Sequence, residues 1–109
     1  MKAPVVSADS HIVEPPEAYS EHIDPKYRDR VPRIVDDGKG GDGYLWEGIK
    51  RPLDLGLMSA AGIPDEIMPK EGPHRRFHDM HKSGWDPKYR VADQIQDGVD
   101  AEIIYASVG

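Results

Sequence analysis

Two short apolar runs stand near the ends of the chain. Residues 3–9 read APVVSAD, and β-branched Val5 and Val6 make this stretch typical of a short buried strand. Residues 101–106 read AEIIYA and have the same character. The pattern therefore predicts a first strand over about 3–9 and a second over about 101–106.

A helical pattern comes directly before the second run. Residues 87–97 carry an apolar stripe at helical spacing. Asp86 before it and Pro87 at its first position are typical of a helix start. Gly98 is a C-terminal stop signal. A helix followed by a buried strand is half of a βαβ unit, and it indicates a parallel sheet.

The middle of the chain, residues 24–84, is dominated by turn chemistry. Glycine and proline together make up 21 of the 109 residues. The clearest feature is DDGKGGDG at 36–43, flanked by β-prone residues at 33–35 and 44–46, which predicts a β-hairpin with a flexible tip. The remainder predicts only short helices.

Composition narrows the classes of function. The net charge of −6 and a pI of about 5.2 argue against nucleic-acid binding, which normally needs a basic surface. The chain has no cysteine, so disulfides and thiolate metal sites are excluded. No stretch approaches the roughly 20 apolar residues of a membrane span. We expect a cytoplasmic protein that binds neither nucleic acid nor membrane.

Asp9 and His11 are the leading candidates for chemistry. Side chains alternate along a strand, so residues two apart point to the same face. A carboxylate and an imidazole there are two of the donors that a divalent cation needs, although a catalytic site usually has three protein ligands. By spacing alone, a hydrogen-bonded Asp–His pair at a polar strand end is the favoured explanation of the motif.

Two blocks of sequence resemble one enzyme family. SADSHIVEPPEAY at 7–19 and GWDPKYRVADQIQDGVDAEIIYAS at 84–107 are similar to the amidohydrolase-related metal-dependent hydrolases, in the branch that includes aminocarboxymuconate-semialdehyde decarboxylase. The blocks cover about 40 of the 109 residues and stand in the family's order. The middle of the chain resembles a long insertion found in one subgroup.

The resemblance implies an α/β fold, the N-terminal part of a (β/α)8 TIM barrel, with a β-hairpin and loop insertion between strands 1 and 2. Such a barrel has eight strands and typically ~250 residues. We therefore expect a single incomplete domain over 1–109, with the catalytic residues beyond Gly109. This piece alone is expected to be inactive.

The resemblance also implies a ligand set. Family members commonly open with H-x-H, where this chain has Asp9 and then His11, so these two residues are the expected metal ligands. Zn²⁺ is favoured, and the oxygen donor leaves Mn²⁺ or Mg²⁺ as alternatives. Glu14 and Ser107 are candidates for substrate or supporting contacts. For Glu14, a solvated acid on a loop is an equally good explanation. For Ser107, simple packing is the better one.

A histidine cluster is the main rival site. His74, His78 and His81 would share one face if residues 74–81 formed a helix, and three histidines can bind a metal. The segment is polar and lacks an apolar stripe, so an exposed loop is the favoured interpretation.

The function implied is metal-dependent hydrolysis of a C–N or C–O bond in a small molecule. The alternative on the same scaffold is non-oxidative decarboxylation of an aromatic or unsaturated carboxylic acid, which the carboxylate at position 9 favours. An alternative from another class is a small, non-catalytic binding module. The full-length enzyme can also be a homo-oligomer.

Overall fold

The computed structural model describes residues 1–108, with the backbone alone at 57 and 71. The chain divides into a terminal unit, made of residues 1–14 and those from 82 onward, and a central unit, Pro15–His81. In chain order the strands and helices are β1 (Val6–His11), α1 (Ala18–His22), β2 (Arg33–Asp36), β3 (Asp42–Leu45), β4 (Leu53–Asp54), α2 (Leu55–Met58), α3 (Met68–Glu71), α4 (Pro87–Asp97) and β5 (Ala101–Tyr105), with short 3-10 turns at Pro25–Arg30, Phe77–Asp79 and Lys82–Gly84.

The terminal unit is built on one parallel strand pair. β1 pairs with β5, with Val6 opposite Ala101 and His11 opposite Tyr105. The predicted helix over 87–97 spans Pro87–Asp97 in the structure, and the side chain of Asp86 caps it by accepting from the Lys88 N–H. Gly98 ends it at φ +70°, a conformation that glycine adopts without a steric cost.

The prediction that the chain forms the N-terminal part of a (β/α)8 barrel is wrong. A barrel builds one sheet from successive parallel strands. The described residues instead form a two-stranded parallel sheet and a separate three-stranded antiparallel sheet. The helix-then-strand pattern at 87–105 specifies only one parallel pair, and it contains no information on a larger sheet. The residues expected as an insertion form most of a compact unit of their own.

The central unit is organised around the hairpin of β2 and β3, which are antiparallel, with Arg33 opposite Leu45. β4 extends this sheet along β3. The hairpin tip is held by its own aspartates: Asp36 accepts from the Gly38 N–H, and Asp37 Oδ1 accepts from the N–H groups of Lys39 and Gly41. These bonds specify the shape of a turn that sequence reasoning expected to be flexible.

The apolar core differs between the units. In the central unit, Tyr44 and Leu55 are 1% and 0% exposed, and Val31, Phe77 and Met80 are also buried. In the terminal unit the buried apolar side chains are Val13 and Val108 among the described residues, whereas Ile103 on β5 is 50% exposed. No described helix is both long enough and apolar enough to cross a membrane.

Candidate functional site

The end of β1 carries a bulge. Ser7 lies opposite Glu102 and Ser10 opposite Ile104, so β1 has one more residue than β5 over this stretch. The hydroxyls of Ser7 and Ser10 consequently lie 2.7 Å apart, although strict alternation would put them on opposite faces. The extra residue falls at Ala8 or Asp9, next to the predicted metal ligands.

Asp9, within this irregular stretch, and His11, just after it, lie together. Asp9 Oδ1 is 3.2 Å from His11 Nε2, and the two side chains are 83% and 57% exposed. The His11 ring also contacts the Tyr105 ring, with 5.8 Å between centroids. The structure therefore places a carboxylate oxygen and an imidazole nitrogen side by side at an open strand end.

Arg90 on α4 holds the backbone of this strand end. Its Nη1 donates to the His11 carbonyl oxygen at 3.1 Å, and its Nε donates to Glu102 Oε2. Ser10 Oγ donates to the other carboxylate oxygen of Glu102. Helix α4 and both strands are thus joined through one arginine–carboxylate pair directly behind His11.

The role of Glu102 is one that the sequence analysis did not identify. The hydrogen bond from Arg90 is the largest cause that lowers the pKa of Glu102, and burial opposes it. The available signal was positional: an acid inside an apolar strand needs a partner, and Arg90 lies on the preceding helix.

Glu14 and Ser107 meet each other. The Ser107 N–H donates to Glu14 Oε1 at 2.8 Å, and the Ser107 hydroxyl donates to the Ile12 carbonyl. Glu14 is buried. These contacts tie the segment after β1 to the segment after β5, which is a positioning role.

The three histidines of 74–81 do not share a helix. His78 lies in the 3-10 turn Phe77–Asp79, and both His78 and His81 are exposed. His74 instead faces two aspartates from other segments of the central unit. Its Nδ1 lies 2.7 Å from Asp37 Oδ2 and 3.4 Å from Asp54 Oδ2. Among the described side chains, which leave out those of residues 57 and 71, this is the one group of three whose donor atoms lie close enough to share a metal ion.

Asp37 is ionised across the physiological range. Burial opposes its ionisation, but hydrogen bonds from the Gly41 and Lys39 N–H groups and the contact with His74 outweigh burial and lower its pKa to about 2. Sequence spacing gave no sign of this cluster, because its three members come from a hairpin tip, a strand end and a loop.

No family model matches the chain, and no curated protein is significantly similar to it. The likeness to the amidohydrolase-related hydrolases therefore stays a prediction from the two sequence blocks.

Proposed function

We propose that this chain contributes to a metal-dependent hydrolase that acts on a C–N or C–O bond of a small molecule, with Asp9 and His11 as metal ligands. The observation that carries the proposal is the 3.2 Å distance between Asp9 Oδ1 and His11 Nε2. The resemblance of residues 7–19 and 84–107 to the amidohydrolase-related enzymes supports it.

The donor spacing fits a shared cation. Ligand atoms lie about 2.0–2.2 Å from Zn²⁺, so two donors of a tetrahedral site are roughly 3.4 Å apart. The observed separation is close to this value. Both side chains are open to solvent, so that water, substrate or a further protein ligand has access to the remaining coordination positions.

The described residues have distinct roles in such a site. Asp9 and His11 would hold the ion, and Arg90 orients His11 through its carbonyl. Glu14 and Ser107 fix the adjoining loops. The chemistry supplied by a bound divalent cation is acidification of water towards a pKa of about 7 and polarisation of a carbonyl group. Zn²⁺ is our first choice, with Mn²⁺ and Mg²⁺ as alternatives.

Non-oxidative decarboxylation of an aromatic or unsaturated carboxylic acid is the second candidate. The observation that favours it is the carboxylate at position 9, since an oxygen donor makes the site harder than a pair of histidines would. Asp9 and His11 would then orient a substrate that binds through its own oxygen atoms. For both reactions we propose a cytoplasmic location, in keeping with a chain that lacks cysteine.

The test is metal binding by the chain, followed by an activity assay of the full-length protein to which we propose it belongs, loaded with Zn²⁺, Mn²⁺ or Mg²⁺. We expect His11→Ala and Asp9→Asn each to weaken binding at this site more than about 100-fold, since even outer-shell changes cost 10–100-fold. His22→Ala, which changes an exposed histidine at the end of α1, is the matched control.

Release of an acid with an amine or alcohol identifies hydrolysis, and release of CO₂ identifies decarboxylation. If His11→Ala keeps both the metal and full turnover, the assignment of this site is wrong. Metal binding that depends on His11, without turnover of either substrate class by the full-length protein, would favour the binding-module alternative.

A further inference from the structure

We propose that Asp37, Asp54 and His74 form a second divalent-cation site, in the central unit. This site shares no residue with the Asp9–His11 site, so the inference does not rest on the proposed function. It uses a nitrogen donor and two carboxylate oxygens, and it opens into a cavity.

The positions of the donors favour a cation. The three donor atoms all lie within 4.8 Å of one another. The separation of His74 Nδ1 from Asp54 Oδ2, 3.4 Å, equals the roughly 3.4 Å expected for two ligands of one Zn²⁺ ion. The Asp37–His74 separation of 2.7 Å is that of a direct hydrogen bond, and it must lengthen by roughly 0.7 Å for the same geometry.

Asp37 is prepared for this role by its surroundings. Its side chain is only 8% exposed. Two backbone N–H groups bind Oδ1, and Oδ2 is the atom that faces His74. One oxygen therefore fixes the carboxylate and the other is directed at the cluster, which is the arrangement of a supported metal ligand.

The cluster lines a cavity of about 290 Å³, which Lys39 and Arg51 also line. Three protein ligands and an open fourth position are typical of a reactive zinc site rather than a closed structural one. The two positive side chains make an anion, such as a carboxylate or phosphate, a suitable occupant of that position. Nitrogen with two carboxylates suits Zn²⁺ or Mn²⁺.

The competing explanation is a plain ion pair between His74 and its aspartates. Both explanations predict that removing His74 harms the central unit, so stability alone does not separate them. Metal stoichiometry does separate them, because an ion pair binds no Zn²⁺.

The experiment is titration with Zn²⁺ or Mn²⁺ of the whole chain carrying Asp9→Asn and His11→Ala, which disables the first site. We expect one equivalent to bind and the melting temperature to rise with metal concentration. Adding His74→Ala should weaken binding more than about 100-fold. Adding His78→Ala, four residues away and exposed, should change neither quantity.

Asp54→Asn protects the test against misfolding, since it keeps the side-chain volume. A folded Asp54→Asn variant that loses the equivalent supports the site. If the background protein binds no metal, or if Asp54→Asn retains full affinity, the second site does not exist. Failure of the Asp9–His11 site would be seen differently. The chain carrying Asp9→Asn and His11→Ala would then bind as many metal ions as the unmodified chain.

Discussion

The two units of this protein use their apolar residues in opposite ways. The central unit, poor in regular structure, buries Tyr44 and Leu55 almost completely. The terminal unit has the most regular helix and the parallel strands, yet Val6 and Ile104 on those strands are about half exposed. Clear secondary-structure patterns and a closed core are therefore separate properties of a sequence.

The difference has a physical origin. Parallel strands rich in β-branched residues are normally covered on both faces, and a two-stranded sheet covers neither. In the central unit, polar side chains compensate for short elements. Arg76 donates to Asp36, to Asp42 and to the Gly41 carbonyl, so one guanidinium joins both strands of the hairpin. The Phe77 N–H also donates to Asp42, so the network ties the segment of buried Phe77 to the hairpin.

The largest effect is expected from the central core. Leu55→Ala should lower the free energy of unfolding by about 2–5 kcal/mol, because it leaves a cavity at a fully buried site. Leu53→Ala, two residues earlier and 43% exposed, should cost about 1 kcal/mol or less. Denaturant unfolding followed by circular dichroism measures both. If Ile104→Ala lowered the free energy of unfolding as much as Leu55→Ala does, the terminal sheet would have to be covered in solution.

An intermediate effect is expected where the terminal unit is closed by polar contacts. Glu14→Ala should cost about 1–3 kcal/mol, because it leaves the Ser107 N–H without its acceptor. Glu14→Gln keeps an acceptor oxygen and should recover most of the loss. The same unfolding measurement checks this, and equal losses for Ala and Gln would show that the negative charge of Glu14, rather than this hydrogen bond, matters.

The smallest effect is expected in acid. Since folding lowers the pKa of Asp37 from 3.8 to about 2, its contribution is full above pH 3.8 and disappears as the pH falls towards 2. Unfolding measured from pH 6 to pH 2 should therefore show a smaller acid-induced loss for Asp37→Asn than for the unmodified chain. Asp29→Asn, at an exposed position, is the control. Parallel curves for both variants would contradict the assignment.

Local signals in the sequence predicted local structure. Asp86 with Pro87 and Gly98 mark the two ends of α4. Of the predicted turn at 36–43, residues 37–41 connect the hairpin strands, and Asp36, Asp42 and Gly43 are paired within them. Capping and turn preferences depend on residues only a few positions apart, so they can be recognised in a single sequence. The proximity of Asp9 and His11 was also accessible from alternation along a strand.

Long-range partners were not predictable in the same way. Arg76 binds Asp36 and Asp42 across more than 30 positions, and His74 meets Asp37 across 37. Many acids are available to each of these side chains, and nothing local selects among them. The barrel failed for a related reason, since one parallel strand pair is common to many α/β arrangements.

The pairing of β1 with β5 has a consequence for how the chain folds. Val5 and Asp100 are 95 positions apart, and they meet in a hydrogen bond beside the first pair of the ladder. Contacts of such sequence separation form slowly, because a long loop must close before they are made. On the ribosome, β1 emerges long before β5 exists, whereas the central hairpin can form as soon as its residues leave the exit tunnel. Of the five described strands, β1 is thus the earliest to be synthesised and among the last to find its partner.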